Sequence, residues 1–173
     1  MTGRKTTPTP LTGPGGLARH GARIYDDPQH DPYHAKGKCT EPTVCSDCSA
    51  VFHRGRWQWG EAPAGAQQGL CPACHRIRDQ LPAGTVTLAG GFIGEHRKEL
   101  LAIARNVEAR EKSQHPLHRI MAVADEADRI VVTTTDVHLP RRIGEALKST
   151  HQGELDVRFG HDEYSVQVDW RRW

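Results

Sequence analysis

Aromatic residues are scarce in this chain. They make up 6% of its 173 residues, hydrophobic residues make up 36%, and mean hydropathy is −0.64. A chain this polar cannot rest on one large core, so a small core plus segments held by other means is expected. No apolar run approaches the roughly 18–20 residues that cross a bilayer, so no membrane partner is expected. The opening "MTGRKTTPTPLTGPGG" has basic residues but no apolar h-region, so a secretory leader is not expected and the location expected is cytoplasmic. Charge of one sign is also lacking: 23 Lys and Arg stand against 21 Asp and Glu, a mild basic bias without a histone-like footprint. GxSxG, a phosphate loop and HExxH are all absent from the sequence. With them goes the case for an active site, and neither enzymatic activity nor a small-molecule substrate is expected.

What is present falls into three stretches. Residues 1–35 are rich in Pro, Gly, Thr and His, show no helical or strand period, and carry Arg4, Lys5, Arg19 and Arg23; they read as a flexible basic arm. Within the arm, "HDPYH" at His30–His34 reads as a turn around Asp-Pro rather than a metal site, because no further ligand is spaced to help it. Residues 36–81 hold all five cysteines, and residues 85–173 hold the regular hydrophobic periodicity.

Cys45-x2-Cys48 is answered by Cys71-x2-Cys74, with 22 residues between the pairs. Each CxxC turn aims two thiolates at one ion, and two turns complete a tetrahedron, the form of a four-cysteine zinc ribbon. Metal binding would give this polar segment the folding free energy that it cannot draw from a core. Disulfides are disfavoured in a cytosolic chain, and a thioredoxin-type dithiol needs only one CxxC. Rubredoxin-like iron uses the same four thiolates, and spacing does not separate it from zinc. The attached domain and interleaved arginines favour Zn2+. Cys39 is too close to Cys45 to join the tetrahedron and reads as a bystander; His75, beside Cys74, reads as a hydrogen-bond donor to sulfur.

"HRGRWQWG" follows the first knuckle and "HRIRDQ" the second. In a ribbon both would continue as strands or turns, gathering Arg54, Arg56, Arg76 and Arg78 beside the metal. With Arg4 and Lys5 of the arm, and Trp57 as a stacking surface, they form a candidate RNA-binding set. Trp57 and Trp59 share one face of their strand by alternation, which favours packing over the metal. Residues 1–81 carry 10 Lys and Arg against 7 Asp and Glu, whereas residues 82–173 carry 13 against 14, so the positive balance sits with the arm and the cysteines.

The remainder reads as β-α-β-β-α-β-β. "TVTLAGGF" is a strand. "EHRKELLAIARNVEAREK" places His96, Leu100, Ile103, Ala104 and Val107 on one helical face and pairs Glu108 with Lys112. "HRIMAVA" and "RIVVTTT" are strands joined through "DEAD", a hairpin loop here. "LPRRIGEALKST" is a helix with Pro140 in its first turn, and "ELDVRFG" and "YSVQVDW" alternate as two further strands. The first six elements predict a ferredoxin-like split βαβ domain with one added strand, an antiparallel sheet covered by two helices. The fold class expected is therefore α+β: a zinc ribbon followed by a ferredoxin-like domain.

Two CxxC knuckles, then "EPTVCSDCSAVFHRGRWQW", "GTVTLAGGF", "HPLHRI" and "DRIVVTTTDVHLPRRIGEALKSTHQGELDVRFGHDEYSVQVDW", resemble the bacterial NMD-like zinc-ribbon proteins. These are similar to the N-terminal region of the ribosomal large-subunit export adaptor named for nonsense-mediated decay. The resemblance runs over about residues 30 to 173. It implies zinc at Cys45, Cys48, Cys71 and Cys74, association with the ribosome, the large subunit above all, and no catalysis. The eukaryotic and archaeal adaptors have more cysteines and further docking domains, so the same docking mode is not expected here. The function expected is a non-enzymatic zinc-binding protein on the ribosome or structured RNA, in translation regulation, hibernation or ribosome quality control. The alternatives are a zinc-dependent protein-interaction module without RNA, or a rubredoxin-like iron redox protein.

Overall fold

The computed structural model describes residues 31–33, 39–161 and 164–173. The readings of Arg4, Lys5, His30, His34 and nearly all of the arm lie outside the described residues.

The first module is a four-stranded sheet and a helix. Strands β1 (Thr43–Cys45), β2 (Val51–His53), β3 (Arg56–Gln58) and β4 (Gln67–Gly69) lie in the order β3-β2-β1-β4. β1–β2 and β2–β3 are antiparallel, and β1–β4 is parallel. The β2–β3 turn is Arg54–Gly55, both left-handed at φ 54° and 77°, the conformation that matches the twist of a two-residue hairpin. The Glu41 carboxylate holds that turn by accepting both of its backbone N–H groups at 2.9 Å.

"HRIRDQ" does not run on as a strand or turn. Pro72–Asp79 is a helix, α1. Cys71 is its N-cap, and its Sγ accepts the Cys74 N–H at 3.4 Å. Pro72 at the first helical position fits there because its missing N–H is unneeded. The module is thus a knuckle, a hairpin and a helix, rather than the ribbon of strands and turns expected. Helix α1 stops at Gln80, left-handed at φ 54°, whose N–H caps back to Arg76 and Ile77.

The second module is the expected α+β succession: β5 (Gly84–Ala89), α2 (Ile93–Gln114), β6 (Ile120–Asp125), β7 (Arg129–Thr134), α3 (His138–His151), β8 (Glu154–Phe159) and β9 (Val166–Arg171). The sheet order is β6-β7-β5-β9-β8. β5-α2-β6 is a split βαβ unit with β7 between its strands. The wholly antiparallel ferredoxin-like sheet is corrected, however: β9 lies between β5 and β8 and runs parallel to β5, with Leu88 opposite Trp170. The side chains explain the placement. Val166, Val168 and Trp170 of β9 are each at most 1% exposed, a face that needs neighbours on both sides. Leu155, Val157 and Phe159 of β8 are only half-buried, which suits an edge.

Inward residues of β5, β7 and β9 meet Ile93, Leu100, Ala104 and Val107 of α2 and Leu139, Ile143 and Leu147 of α3 in one core. His96 sits at its rim, stacked on Phe92 at 3.8 Å. Glu108 accepts the Ile120 N–H at 2.8 Å and so ties α2 to β6. Among the described residues, no helix is long and apolar enough to cross a membrane.

Candidate metal centre and the cleft beside it

Cys45 ends β1, Cys48 lies in the turn that follows, Cys71 caps α1 and Cys74 stands in its first turn. Their four sulfurs lie within 4.8 Å of one another, a group that can hold a metal ion. The first knuckle is shaped by the Ser49 N–H donating to the Cys45 carbonyl at 2.9 Å and by left-handed Ser49 at φ 64°. A tetrahedron with Zn–S bonds of about 2.3 Å has sulfur–sulfur edges of about 3.8 Å; Cys48 Sγ and Cys71 Sγ are 3.7 Å apart, too far for a disulfide. The donor set therefore fits a tetrahedral thiolate ion. Cys39 is free and outside this group.

The surroundings prepare the site for negative charge. The Cys71 N–H donates to Cys45 Sγ at 3.3 Å, and in the first turn of α1 the Cys74 N–H donates to Cys71 Sγ at 3.4 Å, which sets the positive end of the helix beside the thiols. Arg119, only 8% exposed, enters from the second module and donates from Nη2 to Cys74 Sγ at 3.1 Å and Cys71 Sγ at 3.4 Å. Its place is fixed by backbone pairing: the Arg119 N–H donates to Thr135 Oγ1, and the Thr135 N–H to the Arg119 carbonyl. Burial pushes the Cys71 and Cys74 thiols up. Burial acts in the same sense on Cys45, but the N–H groups of Cys71, Cys48 and Asp47 outweigh it and bring the thiol down to about 7. Burial therefore opposes ionisation of Cys71 and Cys74, and a bound cation would offset it.

The candidate RNA-binding residues separate. Arg54 and Arg56 are exposed at the hairpin. Trp57 is half-buried, packs against the cysteine cluster and lies 5.4 Å from Phe52. Trp59 reaches the other module and donates from Nε1 to the Lys112 carbonyl at 2.6 Å. The expected gathering of four arginines beside the metal is corrected at Arg76 and Arg78, because helix α1 turns them elsewhere. Arg76 is 2% exposed, pairs with Asp31 at 2.5 Å, lies over the Tyr33 ring at 4.5 Å and donates to the Leu81 carbonyl. Arg78 forks onto both oxygens of Asp47 at 2.8 and 2.5 Å, clamping helix to knuckle. His75 lies 5.7 Å from the Tyr33 ring and 4.0 Å from Asp79. At residues 31–33 the turn reading holds, with the Tyr33 N–H donating to Asp31 Oδ1.

Two features escaped the sequence. Arg119 is 45 and 48 positions from the sulfurs it meets, beyond the reach of any spacing rule. The second is a cleft of about 250 Å³ between the modules. One wall is a ladder of imidazoles: His115 and His118 at 4.7 Å, His118 and His138 at 5.4 Å, each pair within 30° of parallel. Trp57, Arg56 and Tyr164 also line it. At its base lies Asp136, 4% exposed, whose Oδ2 accepts the N–H groups of His138 and Leu139 at 2.7 and 3.1 Å. Asp136 Oδ1 is buried and has no hydrogen-bond partner among the described residues. Burial raises Asp136 to about 7, and burial lowers His118 to about 4 against the opposing pull of Glu111. An Asp ahead of a helix is a capping signal, so Oδ2 was legible from "TDVHLP"; the buried, unpartnered Oδ1 was not.

The chain matches no family model, and neither the curated proteins nor the solved structures include a significant match.

Proposed function

We propose that this protein is a non-catalytic zinc-binding protein that associates with the ribosome or structured RNA, using the exposed hairpin beside its metal centre. The observation that carries the reading is the closed set of four thiols with Arg54 and Arg56 exposed on the hairpin next to it. Four cysteine ligands leave no open position, so a bound zinc would be structural; it would supply folding free energy, about 10–16 kcal/mol apparent in zinc-finger peptides. Four thiolates and one divalent cation carry a net double negative charge, which Arg119 and the α1 N-terminus offset. The site asks for a thiophilic divalent ion, and zinc suits it without redox chemistry. The sequence resemblance to NMD-like zinc-ribbon proteins supports the ribosome, the large subunit in particular, as the partner. On this reading Arg76 and Arg78 are structural, and phosphate contact belongs to Arg54 and Arg56.

The test is co-sedimentation of the full chain with ribosomes over a salt series. Arg54→Ala together with Arg56→Ala is expected to weaken pelleting and reduce its salt slope by about two phosphate contacts' worth. Unchanged pelleting would remove the hairpin as the contact surface, and no pelleting of the wild type would overturn the reading.

A further inference from the structure

We infer that Cys48 is the oxidation site of the metal centre: it reacts with hydrogen peroxide or another small hydroperoxide and then closes a disulfide with Cys71, which releases the ion. The inference rests on the zinc reading above and is independent of the ribosomal one. Zinc has no redox chemistry of its own, but the sulfurs that hold it do.

The four sulfurs are not equivalent. Cys45, Cys71 and Cys74 are 2%, 0% and 4% exposed. Cys48 is half-buried, in a turn whose other members Ser46, Asp47 and Ser49 are exposed, so a small solute approaches the centre from its side. Hydrogen bonding divides the sulfurs in the same way. Cys45 Sγ accepts the Cys71 N–H, Cys71 Sγ accepts the Cys74 N–H, and Arg119 donates to both Cys71 and Cys74. Among the described residues no N–H donates to Cys48 Sγ, whose contact is with Cys71 Sγ at 3.7 Å. A donor stabilises a thiolate and weakens it as a nucleophile. Cys48 thus combines the greatest access with the least quenched sulfur, the two properties that direct oxidation, and a second thiol stands beside it to resolve the product.

The steps balance as follows. Cys48 Sγ attacks one peroxide oxygen; an S–O bond forms, the O–O bond breaks and hydroxide leaves. Cys71 Sγ then attacks Cys48 Sγ; the S–S bond forms, the S–O bond breaks and a second hydroxide leaves. Two thiolates have given two electrons to one peroxide. The sulfurs must close from 3.7 Å to about 2.05 Å, and the pair then no longer serves as ligands. The bridge also takes Cys71 Sγ from the Cys74 N–H and from Arg119, so α1 loses its cap and the second module part of its hold.

The test uses the full, zinc-loaded chain carrying Cys39→Ser, which removes a thiol outside the cluster that would compete for oxidant. Hydrogen peroxide is added, zinc release is followed with an indicator dye, and the oxidised sulfurs are located by tandem mass spectrometry, with and without dimedone to trap sulfenic acid. The expected result is a dimedone adduct at Cys48, a Cys48–Cys71 disulfide when dimedone is left out, and zinc released mole for mole with peroxide consumed. Cys48→His keeps four ligands of a kind zinc accepts and is expected to slow release about tenfold or more, because the reactive sulfur is gone. Arg119→Met strips the donor from Cys71 and Cys74 and is expected to spread the adduct to Cys74; it keeps the test open should Cys48→His fail to fold. A first adduct at Cys45, Cys71 or Cys74 in the parent chain, a disulfide other than Cys48–Cys71, release from Cys48→His at the parent rate, or an adduct still confined to Cys48 in Arg119→Met would overturn the inference. So would zinc retained in excess peroxide, which leaves the zinc reading standing. A chain that binds no zinc at all would sink that reading first, and this inference with it.

Discussion

Asp136 and His118 are shifted in opposite directions by the same burial, and their effects on stability mask one another. Asp136 moves from 3.8 to about 7. The native state therefore keeps a proton that the unfolded chain has lost, and stability falls as pH rises between about 4 and 7. His118 moves from 6.5 to about 4. The unfolded chain then holds the extra proton, and stability falls as pH drops from 6.5 towards 4. His118 Nε2 lies 3.5 Å from Asp136 and its Nδ1 3.3 Å from Glu111; His115 and His138 flank it in the ladder. Between about pH 4 and 6.5 each state holds one proton on the pair, so the two slopes cancel. Single substitutions expose each half. In urea melts, Asp136→Asn is expected to lose stability relative to wild type as pH falls from 6.5 to 5. His118→Gln is expected to lose it as pH rises over the same interval. Each slope is at most about 1.4 kcal/mol per pH unit. Profiles parallel to wild type for both variants would show that the two groups titrate as they do in water.

At the scale of elements, the second module hinges on where the start of β5 meets the first turn of α3. A Cβ at Gly84 would lie 2.3 Å from the Pro140 ring, 2.5 Å from Thr134 Oγ1 and 2.7 Å from the Asp136 carbonyl oxygen. Gly84→Ala must push the helix N-terminus off the strand, at a cost of about 1–3 kcal/mol or more, read as a lower urea midpoint. A variant as stable as wild type would mean that this contact yields freely. The sequence marks Gly84 only as the glycine that bounds a strand; the close approach belongs to tertiary packing. The same division runs through the molecule. Every strand and helix of the second module is legible, because period 2 and period 3.6 record which face is buried. The order of the strands is not, since alternation in "YSVQVDW" fixes a face and not a neighbour. Helix α1 was missed because it is short, is led by two cysteines and a proline, and draws its stability from a cap and from packing around sulfur rather than from periodicity. The four cysteines of the candidate metal centre were legible because a CxxC pair is local geometry, whereas Arg119 reaches them from another module.

Taken as a whole, the molecule has two cores of unequal kind. The second module has a continuous apolar core from Ala83 to Trp170. In the first, three of the five residues of the central buried cluster are cysteines, with Ala50 and Ala73 as the others. Such a cluster buries too little apolar surface to offset the ordering of its chain, so the module depends on what it leans against and, on the function proposed above, on a bound metal. Among the described residues the joints include Arg119 on two sulfurs, Leu117 against the cysteine cluster, Trp59 on the Lys112 carbonyl, and Arg76 over the Tyr164 ring at 5.7 Å. Removal of the metal by a chelator under reducing conditions should therefore unfold one module and not the other. Hydrogen exchange is expected to become fast across β1–β4 and α1 while the amides of β5, β7 and β9 stay protected, with one equivalent of zinc released to an indicator. Protection should also fall at Arg119 and near Lys112, where the modules are joined. Cys74→Ser should shift exchange in the same regions without a chelator. Loss of protection throughout would make the two modules one cooperative unit, with the metal a support for the whole molecule. Unchanged exchange after metal release would show that the thiol cluster packs well enough without an ion, and the structural role assigned to zinc would fall.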